Sequence, residues 1–288
     1  MTRDVRTLTG PPGIAAQYLR AVLPKGRGNG VIPPGALGLR AAPVDAARLR
    51  TYARVCGFED PAATGRMPAT FPHITAFPLA MELMTARAFP YPVLGLVHLT
   101  NRIEQLRPIG AEEPLAYEVW CEQPVPHAKG VTFDVRGEAR AAGEGEPLWR
   151  EVSTYLVRGR GTGERAAPHE EFDLAAPELE TVWRLPESLG RGYASVSGDR
   201  NPIHLHALTA KLFGFPRAIA HGMWSKARAL ADLERAGLLP AAYAVGIDFR
   251  APIPLPGETR LRAVRAGKGV RFAVTAEREQ LRGEVTAL

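Results

Sequence analysis

Between Tyr193 and His204 the chain reads Y-A-S-V-S-G-D-R-N-P-I-H. Asp199 and His204 are the groups in this stretch suited to moving protons near neutral pH, the carboxylate accepting and the imidazole accepting or donating. Gly198 permits an unusual backbone turn and puts Asp199 just ahead of a helix start. Asn201 is the N-cap, and Pro202 takes the first helical position, where its missing N–H costs nothing. His204 then falls in the first turn. A carboxylate on a loop and an imidazole on a stiff helix start can converge on one water, which suits adding or removing water. A second element, Ala220-His221-Gly222-Met223, opens a longer helix. The unpaired N–H groups of such a start carry positive potential, so Gly222 is a candidate donor to a developing oxyanion. Its missing side chain would let a substrate carbonyl approach. His221, Asn201, Arg200, Lys211 and Arg217 are candidates for binding substrate, the cations by meeting phosphates.

The elements that must hold these residues can be read outward from them. The pattern predicts that the short helix at Pro202 continues over Leu205 to Phe213, with Gly214 at its C-terminal turn. A longer helix is predicted from about Ala220 to Ala236, with Met223, Ala227, Leu230 and Ala231 at helical spacing and Gly237 and Pro240 ending it. Strands are then predicted at Tyr243 to Arg250, Thr259 to Val264, Val270 to Ala276 and Leu281 to Ala287. One long apolar helix followed by antiparallel strands buries itself only if the sheet curls around it, which is an α+β unit.

That unit occurs twice. Residues 52–61, Y-A-R-V-C-G-F-E-D-P, match residues 193–202, Y-A-S-V-S-G-D-R-N-P, at Tyr, Ala, Val, Gly and Pro. A second pair of stretches, Val93 to Gly110 and Ala242 to Gly257, follows in the same order, with about six extra residues in the second copy of a unit of about 140. The first copy is predicted to hold a helix over Ile74 to Ala88, with Pro78 in its first turn. Its strands are predicted at Val93 to Leu99, Leu115 to Glu122, Val131 to Ala139 and Val152 to Val157. Gly, Pro and acidic residues without apolar periodicity mark a linker over 159–177. The division is therefore 1–158, a degenerate repeat; 159–177, a linker; and 178–288, the catalytic repeat. Phe58 and Ala63 stand in the first copy where Asp199 and His204 stand in the second, so the first is expected to bind acyl chain and to hold no second active site. His73 and His98 lie in that copy and read as structural.

S-G-D-x-N-P-I-H followed by G-F and then A-H-G-M resembles the hydratase-2 motif of the MaoC-like family of hot-dog-fold (R)-specific enoyl-CoA hydratases and 3-hydroxyacyl-thioester dehydratases. The resemblance is specific over Tyr193 to about Met223. It implies a double hot-dog fold and reversible conversion of trans-2-enoyl to (R)-3-hydroxyacyl thioesters in fatty acid metabolism. It also implies catalysis by Asp199 and His204 with Gly222 in the oxyanion hole. One departure is His206, where the family often has Asp.

Composition bounds the alternatives. The chain has 288 residues, 45% hydrophobic and 23% charged, with a formal net charge of +6. Its cations are interleaved with Asp and Glu and form no basic stripe, which excludes a nucleic-acid footprint and leaves room for an anionic substrate. Cys56 and Cys121 lack metal-ligand spacing and read as buried free thiols. No cofactor or metal is expected. Asp4, Gly10, Pro11 and Pro12 interrupt the N-terminus where a signal peptide needs an apolar core, and no apolar run reaches a membrane span, so a cytoplasmic location is expected. Expected partners are an acyl-CoA or acyl-carrier-protein thioester, with a homodimer as the candidate assembly. Two rival functions are a hot-dog acyl thioesterase, which would need an acidic residue on the long helix, and a non-catalytic acyl-binding protein. Ser195, Ser197 and Ser225 lie near the motif without a nucleophile elbow.

Overall fold

The computed structural model describes residues 3–25, 30–163 and 173–288. The elements in chain order are β1 (Val5–Leu8), α1 (Ile14–Ala21), β2 (Ala36–Ala42), α2 (Ala46–Cys56), α3 (Pro61–Thr64), α4 (Phe71–Thr85), β3 (Val97–Gln105), β4 (Leu115–Cys121), β5 (Val125–His127), β6 (Gly130–Ala141) and β7 (Trp149–Arg158). They continue with β8 (Leu179–Leu185), α5 (Leu189–Ser197), α6 (Pro202–Leu205), α7 (Ala207–Lys211), α8 (Gly222–Arg235), β9 (Tyr243–Phe249), β10 (Gly257–Ala266), β11 (Gly269–Thr275) and β12 (Glu279–Ala287). Residues 164–172 of the expected linker lie outside the described residues.

The chain forms two compact units. One contains residues up to Pro43, 72–101 and the stretch from 113 to the linker; the other contains 44–71, 102–112 and the stretch from the linker to Leu288. In the first unit the strands run β2-β4-β6-β7-β3, with β1 parallel to β2 and the β2–β4, β4–β6 and β6–β7 pairs antiparallel. Residues 97–101 of β3 belong to it, and the remainder of that strand to the second unit. The second unit's strands run β8-β10-β11-β12-β9, with every pair in this order antiparallel. From β2 and from β8 onward the chain runs strand, helices, then strands, five in the first copy (the short β5 being extra) and four in the second, so the two copies share most of their element order. The α+β expectation holds.

Each half has its long helix, α4 or α8, buried on most faces. Ten residues of α8 are buried, including Lys226 and Asp232. On α4, Ile74, Leu79, Met81 and Met84 are almost fully buried. Burial of this extent around one helix is what lets an antiparallel sheet hide its apolar face. Pro78 lies in the body of α4 rather than its first turn, because the helix begins at Phe71, earlier than apolar periodicity suggested. The predicted continuous helix over Leu205 to Phe213 is also corrected. His206 is extended (φ −148°, ψ 148°), which ends α6 and starts α7 afresh. His206 occupies the α7 N-cap without a side-chain cap bond, a place where Asp would supply one.

The paired motifs fold alike. α2 ends on Gly57 (φ 85°) and α5 on Gly198 (φ 80°), both left-handed, and each glycine N–H bonds the matching carbonyl, Ala53 or Ala194. Asp60 and Asn201 then cap α3 and α6 ahead of Pro61 and Pro202. Further on, an isolated bridge joins Arg66 to Gly110 and another joins Ile219 to Pro254. The first-copy Gly110 thus corresponds to Pro254, not to Gly257 as the matching blocks suggested, because the bridged positions are 110 − 66 = 44 apart in the first copy and only 254 − 219 = 35 apart in the second. Cys56 is buried and Cys121 half-buried, both free; burial raises both thiols, Cys121 to about 12, so neither is a ready nucleophile.

Candidate active site

The left-handed turn at Gly198 throws the chain off α5 and presents Asp199 before α6. The Asp199 N–H donates to Ser197 Oγ at 3.1 Å, and its own Oδ1 accepts from Asn201 N at 3.1 Å. Asn201 Oδ1 in turn accepts from Ile203 N at 3.4 Å, which starts α6. Behind α6, Gly190 of α5 packs so near that a Cβ there would stand 1.9 Å from the His204 carbonyl. The helix bearing His204 therefore rests directly on a neighbouring backbone.

His204 is buried, and its Nδ1 lies 2.8 Å from the Ile219 carbonyl. A carbonyl only accepts, so Nδ1 carries the hydrogen and the neutral ring presents its lone pair at Nε2. His221, at the N-cap of α8, is 2% exposed, and its Nε2 donates to the Asp199 main-chain carbonyl at 3.0 Å. The two imidazoles stack, 3.7 Å between centroids and 26° apart, and the Tyr193 ring lies against His221 at 4.9 Å, tilted by 52°. One carboxylate oxygen of Asp199 and one nitrogen each of His204 and His221 all lie within 4.8 Å of one another. The spacing alone is that of a metal site; however, His221 Nε2, 3.8 Å from Asp199 Oδ2, carries the hydrogen given to the Asp199 carbonyl and so offers no lone pair there.

Burial sets the electrostatics. It lowers His204 below its ordinary value, opposed by the Asp199 charge and the Ile219 hydrogen bond. It takes His221 down to about 3, with His204 adding to the effect. Both rings are neutral at neutral pH, and the Asp199 side chain, 28% exposed, is the part of the group nearest to solvent.

Gly222 is the first residue of α8, so no carbonyl within the helix can accept from its N–H. Its missing side chain has a reason that the sequence did not reveal: a Cβ would approach the Phe249 ring to 2.9 Å. The remaining candidates spread outward. Asn201 is half-buried at its cap, whereas Arg200, Lys211 and Arg217 are exposed, with Arg217 donating to the Pro256 carbonyl at 3.0 Å. The serines are committed locally: Ser195, Ser197 and Ser225 donate to the main-chain carbonyls of Gly192, Tyr193 and His221. Sequence reading missed two contributors, the Ile219 carbonyl that selects the His204 tautomer and the Tyr193 ring behind His221. The recurrence of Tyr52 and Tyr193 in both copies was the available signal for the second.

Comparison with known proteins follows the same line. A family model described as a MaoC like domain matches residues 168–285. The chain is 32% identical over 240 residues to 3-hydroxyacyl-thioester dehydratase X of Mycobacterium tuberculosis, covering 83% of each protein. It is 25% identical over 166 residues to a peroxisomal enoyl-CoA hydratase 2 of Arabidopsis thaliana, covering 54% of each. The crystal structure of HtdX from Mycobacterium tuberculosis superposes with a TM-score of 0.75 at 29% identity, covering 88% of this chain and 100% of that one.

Proposed function

Given that the chain belongs to the MaoC-like family of hot-dog hydratases and dehydratases, we propose that Asp199 and His204 perform its chemistry, the reversible addition of water to an acyl thioester. The protein is a hydro-lyase of fatty acid metabolism. In the hydration direction, water attacks C3 of a trans-2-enoyl thioester as its proton passes to Nε2 of His204. Asp199 orients that water through its other hydrogen. The π electrons move onto the thioester oxygen, which Gly222 N–H stabilises, and the imidazolium returns its proton to C2 on the same face. Dehydration reverses each step. The observation that carries this reading is the His204 Nδ1 contact with the Ile219 carbonyl, which supports a lone pair at Nε2 of a ring with a nitrogen within 4.8 Å of the Asp199 carboxylate.

Arg200, Lys211 and Arg217 are the proposed contacts for the phosphates of coenzyme A or of a carrier protein, on the strength of their charge and exposure. Residues 178–288 are the proposed catalytic repeat and 1–158 the degenerate, acyl-binding one, since Phe58 and Ala63 replace the reactive pair. A cytoplasmic homodimer is the proposed form. Among the described residues no helix is long and apolar enough to cross a membrane. The thioesterase alternative finds little support on α8: Asp232 is buried and accepts from Trp183 Nε1 at 2.7 Å while pairing with Arg228 and Arg235. The test is crotonyl-CoA, followed by absorbance of its conjugated thioester. Loss of the chromophore without free thiol supports hydration; thiol release would establish a thioesterase instead, and no change in either would leave a binding protein.

A further inference from the structure

The second unit carries a segment that the repeated fold does not require. From helix cap to isolated bridge the chain advances 66 − 60 = 6 residues in the first copy, Asp60 to Arg66, and 219 − 201 = 18 in the second, Asn201 to Ile219. The first copy thus reaches the same bridge from the same cap without the extra stretch, which contains α7 and its flanking turns. The base of that stretch is tied, with Ile219 N donating to the Ile203 carbonyl at 3.1 Å. His204 stands at this base, its Nδ1 donating to the Ile219 carbonyl at 2.8 Å. The extra stretch is therefore a lobe rooted at the histidine of the proposed dyad.

Two features set the surface of the lobe. Leu208 and Leu212 are 79% and 83% exposed, the highest values of any large hydrophobic residue among those described, and Phe213 follows at 38%. Leu208 and Leu212 stand four apart on α7 and its C-cap, so they share one helix face. Single exposed apolar side chains are ordinary, but three together on so short a segment mark a surface that another body covers. The second feature is charge. No Asp or Glu occurs between Asp199 and Asp232, whereas Arg200, Lys211 and Arg217 do. Lys211 and Arg217 are exposed, and among the described residues neither pairs with a carboxylate; Arg217 donates to the Pro256 carbonyl instead. Arg191 of α5 adds another exposed cation where the lobe begins, donating to the Leu205 carbonyl at 3.0 Å.

We propose that this lobe is the docking surface for an acidic acyl carrier protein. The inference names the partner of the hydration reading and rests on that reading for the chemistry, though not for the docking. Coenzyme A offers phosphates to the cations but no extended apolar surface for Leu208, Leu212 and Phe213. A small folded carrier offers both: acidic side chains for Lys211, Arg217 and Arg191, and apolar side chains between them for the leucines. Its thioester arm then starts from the lobe at whose root His204 stands.

The probes are crotonyl-loaded acyl carrier protein and crotonyl-CoA, offered to the full chain and to the double variant Leu208→Ser/Leu212→Ser. The double variant is expected to raise KM for the carrier substrate about tenfold, with kcat unchanged and crotonyl-CoA kinetics within twofold of wild type. Fluorescently labelled holo carrier, followed by anisotropy, should bind the wild-type chain and bind the double variant about tenfold more weakly. Lys211→Glu should weaken the same binding about fivefold, and it decides if the double variant does not fold. A chain that binds the carrier in this way yet hydrates neither thioester would uphold the docking and sink the hydration reading. No carrier binding by the wild-type chain, turnover of crotonyl-CoA alone, or unchanged carrier KM and affinity in the double variant would overturn the proposal. Equal loss on both substrates would do the same. So would sedimentation showing that the leucine substitutions split a dimer, which would make a second copy the cover. Loss of binding to phosphatidylglycerol vesicles with carrier binding intact would assign the leucines to a lipid surface instead.

Discussion

The rings of His204 and His221 lie stacked at 3.7 Å, and His221 is tied to the Asp199 carbonyl while His204 is tied to that of Ile219. Two imidazoles at this distance cannot both become imidazolium cations in a buried site. Their contact therefore keeps the pair neutral and fixes the loop that carries Asp199.

This has a consequence for acid stability. Both folded-state values lie below the ordinary 6.5, so the unfolded chain binds more protons and stability falls as pH drops below that value. For His221 the loss continues toward pH 3, at about 1.4 kcal/mol per pH unit. Urea unfolding at pH 7, 6 and 5 should show it, and His221→Phe, which keeps a ring but does not titrate, should flatten the slope. An unchanged slope in that variant would separate His221 from the effect. The same variant should lose roughly 10- to 100-fold in turnover as the Asp199 loop loses its anchor.

The acid limb of kcat/KM for hydration should lie below pH 6.5, since burial lowers His204 and the reaction needs its free Nε2. A limb centred at or above that value would exclude His204 as the base in the free enzyme.

Asp199→Asn and His204→Ala should each reduce turnover of a 2-enoyl thioester by about 10²- to 10⁴-fold, the range for a positioned acid–base group. Circular dichroism checks the fold. Near-wild-type rates in either folded variant would remove that residue from the chemistry.

Gly222→Ala separates packing from catalysis. The added carbon meets Phe249 at 2.9 Å, so a loss of about 1–3 kcal/mol is expected in urea unfolding. Adding Phe249→Leu should restore most of it. The N–H survives in both variants, and the relieved double variant should turn over within tenfold of wild type. A silent single variant would show that Phe249 yields easily.

The hydrated product should have the (R) configuration. Coupling to dehydrogenases specific for (R)- or (S)-3-hydroxyacyl-CoA reads this directly, and consumption by the (S)-specific enzyme alone would refute the proposed mechanism.

Where chemistry and backbone rules coincide, the sequence was a good guide. Asn201-Pro202 started a helix, Gly198 took the left-handed turn, and the strands after each long helix lay close to where alternation put them, except that the one expected at Val93 to Leu99 runs Val97–Gln105 and the short β5 was not foreseen. Leu49, Tyr52, Ala53 and Cys56 recur at helical spacing in α2, and these four are its buried residues. Leu205 to Phe213 is rich in helix formers, so nothing local announced the extended His206. The proximity of His221 to His204 depends on how the start of α8 meets α6, a tertiary relation that spacing along the chain does not encode. Similarly, the partner of Gly222 is Phe249, a residue from a different strand.

The second compact unit draws residues 44–71 and 102–112 from the early part of the chain. Within it, Tyr52 of α2 meets Tyr193 of α5 at 6.2 Å, and the Val55 carbonyl accepts from Trp224 Nε1 at 3.0 Å. During synthesis α2 leaves the ribosome long before α5 and α8 exist, so its apolar side must wait without its native cover. The order of translation thus leaves a window in which the nascent chain is open to chaperones, and a truncated N-terminal product should be far more prone to aggregate than the finished protein.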